Sequence, residues 1–160
     1  MITLRDTVEI KASPERIFDF FLHFRENYHA WHPDHVECRY LKGNPPEEGS
    51  IIYCEEYLHG KLHQFKFEIT KFEPNSRIDF KVGPGMRGDF IVEPRGANSL
   101  FIADTYVGTK VPLLGKLLDK LMSTLLRRRL EAGRKHMAEE GQNLKDLLEA
   151  GGRKPKKEVD

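Results

Sequence analysis

Two residues near the end of the chain, His136 and Glu140, have the types and spacing of a metal-binding pair. They lie in the segment from Pro112 to Ala150, where leucines recur at three- and four-residue steps and predict one amphipathic helix. The helical period that places Leu118 and Leu125 on the inward face also brings His136 and Glu140 to that face. An imidazole and a carboxylate one helical turn apart can hold one metal ion together.

A further carboxylate is predicted to face the interior from a β-hairpin. Residues 51–58 and 62–72 flank a short turn, and the alternation of the second arm fixes an antiparallel register. This register turns Glu56 inward and Glu55 to solvent. A lone buried carboxylate is costly, so Glu56 needs a cation or another partner. The other side chains predicted to face inward are Ile52, Cys54, Leu58, His63, Phe65, Phe67 and Ile69.

Histidines cluster within residues 28–35, at the junction between a predicted second helix and the next strand. One of them, His32 or His35, would join the hairpin glutamate and the helix pair in a set of two histidines and two glutamates. This set suits zinc, with iron or manganese possible, because imidazole and carboxylate ligands alone do not distinguish these metals. The pattern leaves open which of the two histidines is the ligand.

Each of these residues also has a purely structural interpretation. His136 and Glu140 could be a solvated ion pair, since charged residues surround them. Glu56 could pair with a buried arginine such as Arg129, which the same helical period points inward. Cys54 is predicted to be a small core residue. The metal hypothesis is favoured because separate segments are turned inward by their own periodicities.

The elements that would position these residues alternate from strand to helices, then to about six more strands and a long last helix. Ser13, Pro14 and Glu15 predict the start of the first helix, with serine as its cap. After a first strand within residues 1–11, further strands are predicted at 36–41, 51–58, 62–72, 77–82, 89–93 and 99–107. We expect residues 1–150 to form one domain and residues 151–160 to form a basic, disordered tail.

Composition argues against several classes of partner. The 160 residues include 26 basic and 25 acidic side chains, a net charge of +1, so nothing favours nucleic acid or an anionic membrane. We find no apolar run of membrane-spanning length and no secretory leader. The two cysteines, Cys38 and Cys54, are predicted to be free thiols, and we expect a cytoplasmic location.

The order of elements is that of the helix-grip fold, an α+β fold. The opening segment from Val8 to Phe21, Trp31, the turn from Gly43 to Gly49 and the amphipathic C-terminal helix resemble the START-like family, which includes polyketide cyclases and pollen-allergen-type proteins. The resemblance implies a curved antiparallel sheet wrapped around the long helix, with an internal cavity for an apolar ligand between them.

At the metal residues the chain is most similar to the diacetylphloroglucinol hydrolase group of that superfamily. The similarity lies in the segment from Tyr28 through Trp31 to His35, an inward strand glutamate, and the spacing of His136 and Glu140. It implies zinc held by His35, Glu56, His136 and Glu140. The tyrosine that holds the phenol in that group corresponds to Tyr28, and Trp31 would lie in the ligand site. The junction here is one residue shorter, and the chain lacks the group's large N-terminal extension.

The resemblance implies a zinc-dependent hydrolase that cleaves a carbon–carbon bond in an acylated phenol or polyketide-like aromatic compound. Tyr28, His32 or His63 would donate a proton to the departing ring carbon or hold a phenol oxygen. The apolar walls would be Phe65, Phe67 and Phe80. The alternative is a metal-free START-like carrier of a hydrophobic small molecule, which an apolar lining would suit equally. The substrate, the physiological metal and the oligomeric state are left open.

Overall fold

The computed structural model describes residues 1–58, 60–108 and 127–151. In chain order its elements are β1 (Ile2–Ile10), α1 (Pro14–Leu22), α2 (Phe24–Trp31), β2 (His35–Lys42), β3 (Ile51–Leu58), β4 (Lys61–Glu73), β5 (Arg77–Val82), β6 (Met86–Arg95), β7 (Asn98–Val107) and α3 (Arg127–Glu149). Every strand expected from the sequence is present. The alternation of side chains predicts strands well because one face of this sheet is buried.

The seven strands form one antiparallel sheet in the order β1-β7-β6-β5-β4-β3-β2. Neighbouring strands in the chain are hairpin partners from β2 to β7, and β1 returns to pair with β7. The sheet curves, and α3 packs mainly against β1 and also contacts α2 and β7. This arrangement confirms the predicted α+β helix-grip fold.

Aromatic side chains from α1 fill the space between the helices and the sheet. Ser13 caps α1 as predicted, accepting the backbone N–H of Arg16 on its hydroxyl at 3.4 Å, and Pro14 occupies the first helical position. The ring of Phe21 stacks on Phe90 of β6 and Phe101 of β7, with centroids 5.1 and 5.8 Å apart. Each buried aromatic of this kind stabilises the fold by about 1.5–3 kcal/mol.

The last helix is confirmed over residues 127–149, and the rest of the predicted helix, residues 112–126, lies outside the described residues. Its buried positions are Gly141, Leu144 and Leu148. The predicted inward orientation of Arg129 is wrong, because Arg129 is exposed and Leu130 takes the half-buried position beside it. A guanidinium in this position keeps its hydration, which burial without a partner would remove.

Glycines let α3 approach β1 closely. A Cβ atom on Gly141 would lie 2.5 Å from Oδ2 of Asp6, and one on Gly133 would lie 3.5 Å from Leu4. Lys145 of α3 also donates to the backbone carbonyl of Glu9 at 2.7 Å. The close approach fixes the height of α3 above the sheet, and with it the positions of the side chains that α3 carries inward.

The register predicted for the β3–β4 hairpin is confirmed. Glu56 lies opposite His63, Cys54 opposite Phe65 and Ile52 opposite Phe67, and the turn includes Gly60 at φ 70°. A positive φ of this size favours glycine, which is why the short turn can close there.

The predicted C-terminal tail can be followed only to Gly151, since residues 152–160 lie outside the described part of the chain. Among the helices that the structure describes, none is long and apolar enough to cross a lipid bilayer.

Gly88 is a point of close packing between β6, β7 and the ring of Phe80. A Cβ atom there would lie 2.6 Å from the backbone oxygen of Asp104 and 2.6 Å from the Phe80 ring. The Phe80 ring therefore lies directly over β6, in space that a larger residue would occupy.

Gly88→Ala should lower the free energy of unfolding by about 1–3 kcal/mol, because the added methyl group overpacks this contact. Gly133→Ala is the matched control: its Cβ atom meets Leu4 at an ordinary contact distance of 3.5 Å in the middle of a helix. The control should therefore raise the free energy of unfolding by about 0.5–1 kcal/mol. Urea unfolding measures both, and equal effects would contradict the packing at Gly88.

Candidate functional site

Three elements bring four ligand-type side chains to one point between α3 and the sheet. His35 begins β2 and lies in register opposite Glu56 on β3. His136 and Glu140 lie one turn apart on α3. The two neighbouring strands thus position one half of the cluster and the helix positions the other half. We call His35, Glu56, His136 and Glu140 the four-residue cluster.

Each of the two histidines in the four-residue cluster lies close to both carboxylates, Glu56 and Glu140. His35 Nε2 is 3.1 Å from Glu140 Oε1 and 3.5 Å from Glu56 Oε2. His136 Nε2 is 3.6 Å from Glu140 Oε1 and 3.9 Å from Glu56 Oε2. Ligand atoms at about 2.0–2.1 Å from a tetrahedral metal ion are about 3.4 Å apart, so the observed separations bracket those of a metal site.

Two of the structural interpretations, the solvated pair of His136 with Glu140 and the pairing of Glu56 with Arg129, are wrong. The side chains of His136 and Glu140 are only 11% and 17% exposed, so they are not a solvated pair on the helix surface. Glu56 has His35 and Tyr28 as neighbours, whereas Arg129 is exposed. Cys54 is a buried core residue, as predicted, and its thiol lies 3.7 Å from that of Cys38.

The orientation of the His35 ring is fixed by the end of α2. Nδ1 of His35 lies 2.9 Å from the backbone carbonyl oxygen of Tyr28, which can only accept a hydrogen bond, so Nδ1 carries the proton. The neutral ring then presents an unprotonated Nε2 to Glu56 and Glu140. Metal-binding histidines commonly donate their second N–H to a carbonyl in this way. The Tyr28 ring stacks on His35 at 4.0 Å and nearly parallel, at 7°.

His136 is less well satisfied than His35. Its Nε2 atom is buried and has no hydrogen-bond partner among the described residues. A buried polar atom without a partner is costly and calls for an explanation. The atom lies 3.6 Å from Glu140 Oε1 and 3.9 Å from Glu56 Oε2, so a cation bound between it and these oxygens would satisfy it.

Burial disfavours charge throughout the four-residue cluster. It raises the pKa of Glu56 to about 7, helped by the nearby charge of Glu140, and it raises the pKa of Glu140 to about 7. Burial lowers the pKa of His35 and of His136, although the carboxylates oppose this shift. The cluster therefore favours neutral imidazoles, and two ionised carboxylates are stable in it only with added positive charge.

Tyr28 adds a hydrogen-bond donor beside this cluster. Its hydroxyl donates to Oε2 of Glu56 at 3.1 Å. Burial and the neighbouring Cys54 and Glu56 raise the pKa of Tyr28 far above the ordinary value for a tyrosine. The hydroxyl therefore keeps its proton at neutral pH and acts as a donor.

His32 lies next to the four-residue cluster, and its proton is on Nε2, whereas the proton of His35 is on Nδ1. The backbone N–H of Asp34 donates to Nδ1 of His32 at 3.1 Å, so Nε2 carries the proton and faces Glu139 at 3.4 Å. Nitrogen atoms of His32, His35 and His136 lie within 4.8 Å of one another. Coordination through His32 would require the loss of the Asp34 hydrogen bond, whereas Nε2 of His35 already faces Glu140 and Glu56.

The phenylalanines predicted to line the ligand site contact one another in series, and of these only Phe67 and Phe80 border the apolar cavity. His63 stacks on Phe65, and contacts continue to Phe67 and Phe80 with centroids 5.6–6.0 Å apart. Trp31 lies in the core, where its indole N–H donates to the backbone carbonyl of Glu140.

A small apolar cavity of about 50 Å³ lies along this lining. The residues around it are Phe21, Phe24, Pro46, Ile52, Phe67, Ile69, Ile78, Phe80 and Phe90. Phe65 and Trp31 are not among them. An apolar cavity of about 150 Å³ is known to stay dry and bind benzene. Among the described residues, the space is thus smaller than an aromatic ring, and a ring would enter only if aromatic side chains move.

Two acidic residues near the cluster were not predicted. Asp6 faces α3 beside Gly141, and its charge contributes to the raised pKa of Glu140. Even-numbered residues of β1 alternate inward, so the parity of Leu4 and Val8 could have identified Asp6. Glu139 lies beside His32 only because of the loop that carries His32, and no sequence pattern indicates that contact.

In metal-free protein at pH 8, Glu56→Gln should raise the free energy of unfolding by up to about 3 kcal/mol. Because its pKa is raised, Glu56 is better accommodated in the folded protein as a neutral carboxyl group. Relative to its value at higher pH, the stability of the wild type is therefore greatest below pH 4.5, and this advantage is lost as the pH rises towards 7. The difference in the free energy of unfolding between Glu56→Gln and the wild type should therefore grow as the pH rises from 4.5 to 7. Urea unfolding of chelator-treated protein measures this difference. An equal gain from Glu55→Gln, on the opposite face of β3, would contradict the burial of Glu56.

Comparison with known proteins agrees with the fold. A sequence family described as polyketide cyclase/dehydrase and lipid transport matches residues 1–142. No curated protein matches the chain.

Similar solved structures cover nearly all of the chain. TTHA0849 from Thermus thermophilus is 17% identical with a TM-score of 0.69, covering 94% of this chain and 99% of its own. A START superfamily protein from Mycobacterium smegmatis is 23% identical with a TM-score of 0.57, covering 84% and 95%. The Zhui aromatase/cyclase from Streptomyces sp. R1128 is 13% identical with a TM-score of 0.63, covering 94% and 98%.

At these identities the structures establish a shared fold and nothing finer. The family match spans most of the chain, and its description names polyketide cyclase, dehydrase and lipid transport functions. The protein therefore belongs to the polyketide cyclase/dehydrase and lipid transport family.

Proposed function

We propose that the protein is a metal-dependent hydrolase that acts on an acylated phenol or a polyketide-like aromatic compound, with zinc as its metal and iron or manganese as alternatives. The supporting observation is the convergence of His35, Glu56, His136 and Glu140, with nitrogen–oxygen separations of 3.1–3.9 Å. The membership of the family is equally compatible with other chemistry. The proposal therefore depends on this cluster.

The donor set fits a divalent cation on electrostatic grounds. Two buried carboxylates and two neutral imidazoles carry a net charge of −2 when the carboxylates are ionised, and a divalent cation would balance it. Nε2 of His35 is unprotonated and faces the two carboxylates, and Nε2 of His136 has no hydrogen-bond partner among the described residues. When bound in such a site, zinc supplies Lewis acidity, which makes water a nucleophile at neutral pH and polarises a carbonyl group.

The protein's own side chains would orient the substrate and move its protons. Tyr28 retains its proton and would donate a hydrogen bond to a phenol oxygen or a proton to the departing ring carbon. His63 lies opposite Glu56 on the same face of the hairpin, and His32 lies beside His136; either could serve as the second proton donor.

The aromatic lining would hold the ring of the substrate and exclude water. Phe65 links His63 to Phe67, so apolar contacts lead from the cluster towards the cavity. A ring bound along this lining would place its acyl group near the polar cluster. The cleavage would break the bond between the ring carbon and the acyl carbon, with water supplying a hydroxyl group to the acyl product and a proton to the ring.

The alternative is a metal-free carrier of a hydrophobic small molecule, and the entirely apolar cavity supports it. A carrier of this kind would not need buried ionisable groups beside its cavity. It would contain no metal, and chelators would not affect its stability.

Elemental analysis of protein purified without an affinity tag or chelator should find about one equivalent of metal per chain. His136→Ala should abolish metal retention, and Glu55→Ala, on the outer face of β3, should not. Chelation should lower the stability of the wild type by about 3–4 kcal/mol if the metal is present at 100 to 1,000 times its dissociation constant. Wild-type protein without metal would contradict the proposal and leave the carrier as the better account.

Metal-loaded protein should hydrolyse acylated phenols, with loss of the acyl group as the corresponding acid. Tyr28→Phe should lower kcat by about 10²-fold, a common contribution of a proton donor, while the metal content stays unchanged. Separation of the products by chromatography measures the reaction. Unchanged kcat in Tyr28→Phe would remove Tyr28 from the mechanism, and binding of the phenols without turnover would favour the carrier.

A further inference from the structure

We infer that Trp31 is a positioning residue of the candidate metal centre, which sets the affinity for the metal through the backbone of Glu140. The inference rests on the proposed function, and it assigns to the only tryptophan of the chain a different role from contact with the ligand.

The contact that carries this inference joins α2 to α3. The side chain of Trp31 is buried, with 3% of the residue exposed, and its Nε1–H donates to the backbone carbonyl of Glu140 at 2.9 Å. A hydrogen bond in a buried environment is well ordered and costly to leave unmade. It fixes the turn of α3 that carries Glu140 and, one turn earlier, His136.

The same end of α2 also orients the ligand from the sheet. The Tyr28 carbonyl accepts the Nδ1–H of His35 at 2.9 Å, and Trp31 contacts the His35 ring edge-on at 5.4 Å. The last turn of α2 thus holds both members of the shortest pair in the cluster, His35 and Glu140, at 3.1 Å. A shift of α3 relative to α2 would change this distance directly.

Packing alone does not account for Trp31. Its ring contacts Phe20, Phe21, Phe24 and Phe90 edge-on, contacts that an apolar ring could also make. The indole N–H is the one group that distinguishes tryptophan from such a ring, and its acceptor belongs to a residue of the cluster. The N–H group, separately from the ring, is therefore the feature to test.

The experiment replaces Trp31 with β-(3-benzothienyl)alanine in the full chain, which keeps the shape of the ring and replaces N–H with sulfur. The dissociation constant for zinc is measured by competition with a chromophoric chelator, and the visible absorption spectrum of the Co²⁺ form reports the geometry of the ligands. We expect zinc to bind about 10–100-fold more weakly and the Co²⁺ bands to shift, as when an outer partner of a metal ligand is lost.

Phe20→Leu is the matched control, because Phe20 packs against Trp31 at 5.9 Å in the same core. It should lower the thermal unfolding midpoint and leave the zinc affinity and the Co²⁺ spectrum unchanged. Wild-type affinity and spectrum in the benzothienyl variant would overturn the inference, as would an equal loss of affinity in Phe20→Leu. Failure of the wild type to bind either metal would instead contradict the proposed function, and the inference with it.

Discussion

The arrangement at the centre of this protein depends on one electrostatic constraint: two largely buried carboxylates, Glu56 and Glu140, lie within 4 Å of the same two histidines. Burial raises the pKa of each to about 7 and lowers the pKa of the neighbouring histidines. The cluster must therefore take up protons or a cation. A fold that needed only an apolar core would gain stability by replacing these groups with hydrophobic residues. Their presence favours a function at this point.

The surrounding structure holds the cluster from two sides. The β2–β3 ladder fixes His35 and Glu56, and glycines in α3 allow the helix to approach β1, with Gly141 against Asp6. The end of α2 then connects the two sides through short hydrogen bonds to a strand residue and to a helix residue. Such outer contacts commonly determine how well ligands keep their geometry. The positions of the four side chains thus follow from the helix-grip fold as a whole.

The polar cluster lies at one end of an aromatic lining and the apolar cavity lies along it. Aromatic contacts run from His63 to Phe67 and Phe80, which line the cavity. An aromatic molecule with one polar oxygen would fit this arrangement. Its ring would be buried along the aromatic lining, and its oxygen would lie near the hydrogen-bond donors of the polar cluster. The family description names polyketide cyclase, dehydrase and lipid transport functions, and in this chain the buried charges lie at one end of the aromatic lining.

Local patterns in the sequence determined the strands, the hairpin register and the helical face, and so they placed Glu56, His136 and Glu140 inward, because alternation and helical periodicity act over neighbouring residues. Only the tertiary structure shows that the rings of His35 and His32 are oriented differently, each by its own hydrogen bond. A register shift between His35 and Glu37 breaks the alternation of β2, and the ring orientation comes from the carbonyl of α2. The contacts of Trp31 with Glu140 and of Asp6 with Gly141 were likewise visible only in the tertiary structure, because they join distant segments of the chain. Such contacts depend on how helices pack on the sheet, which no local pattern encodes.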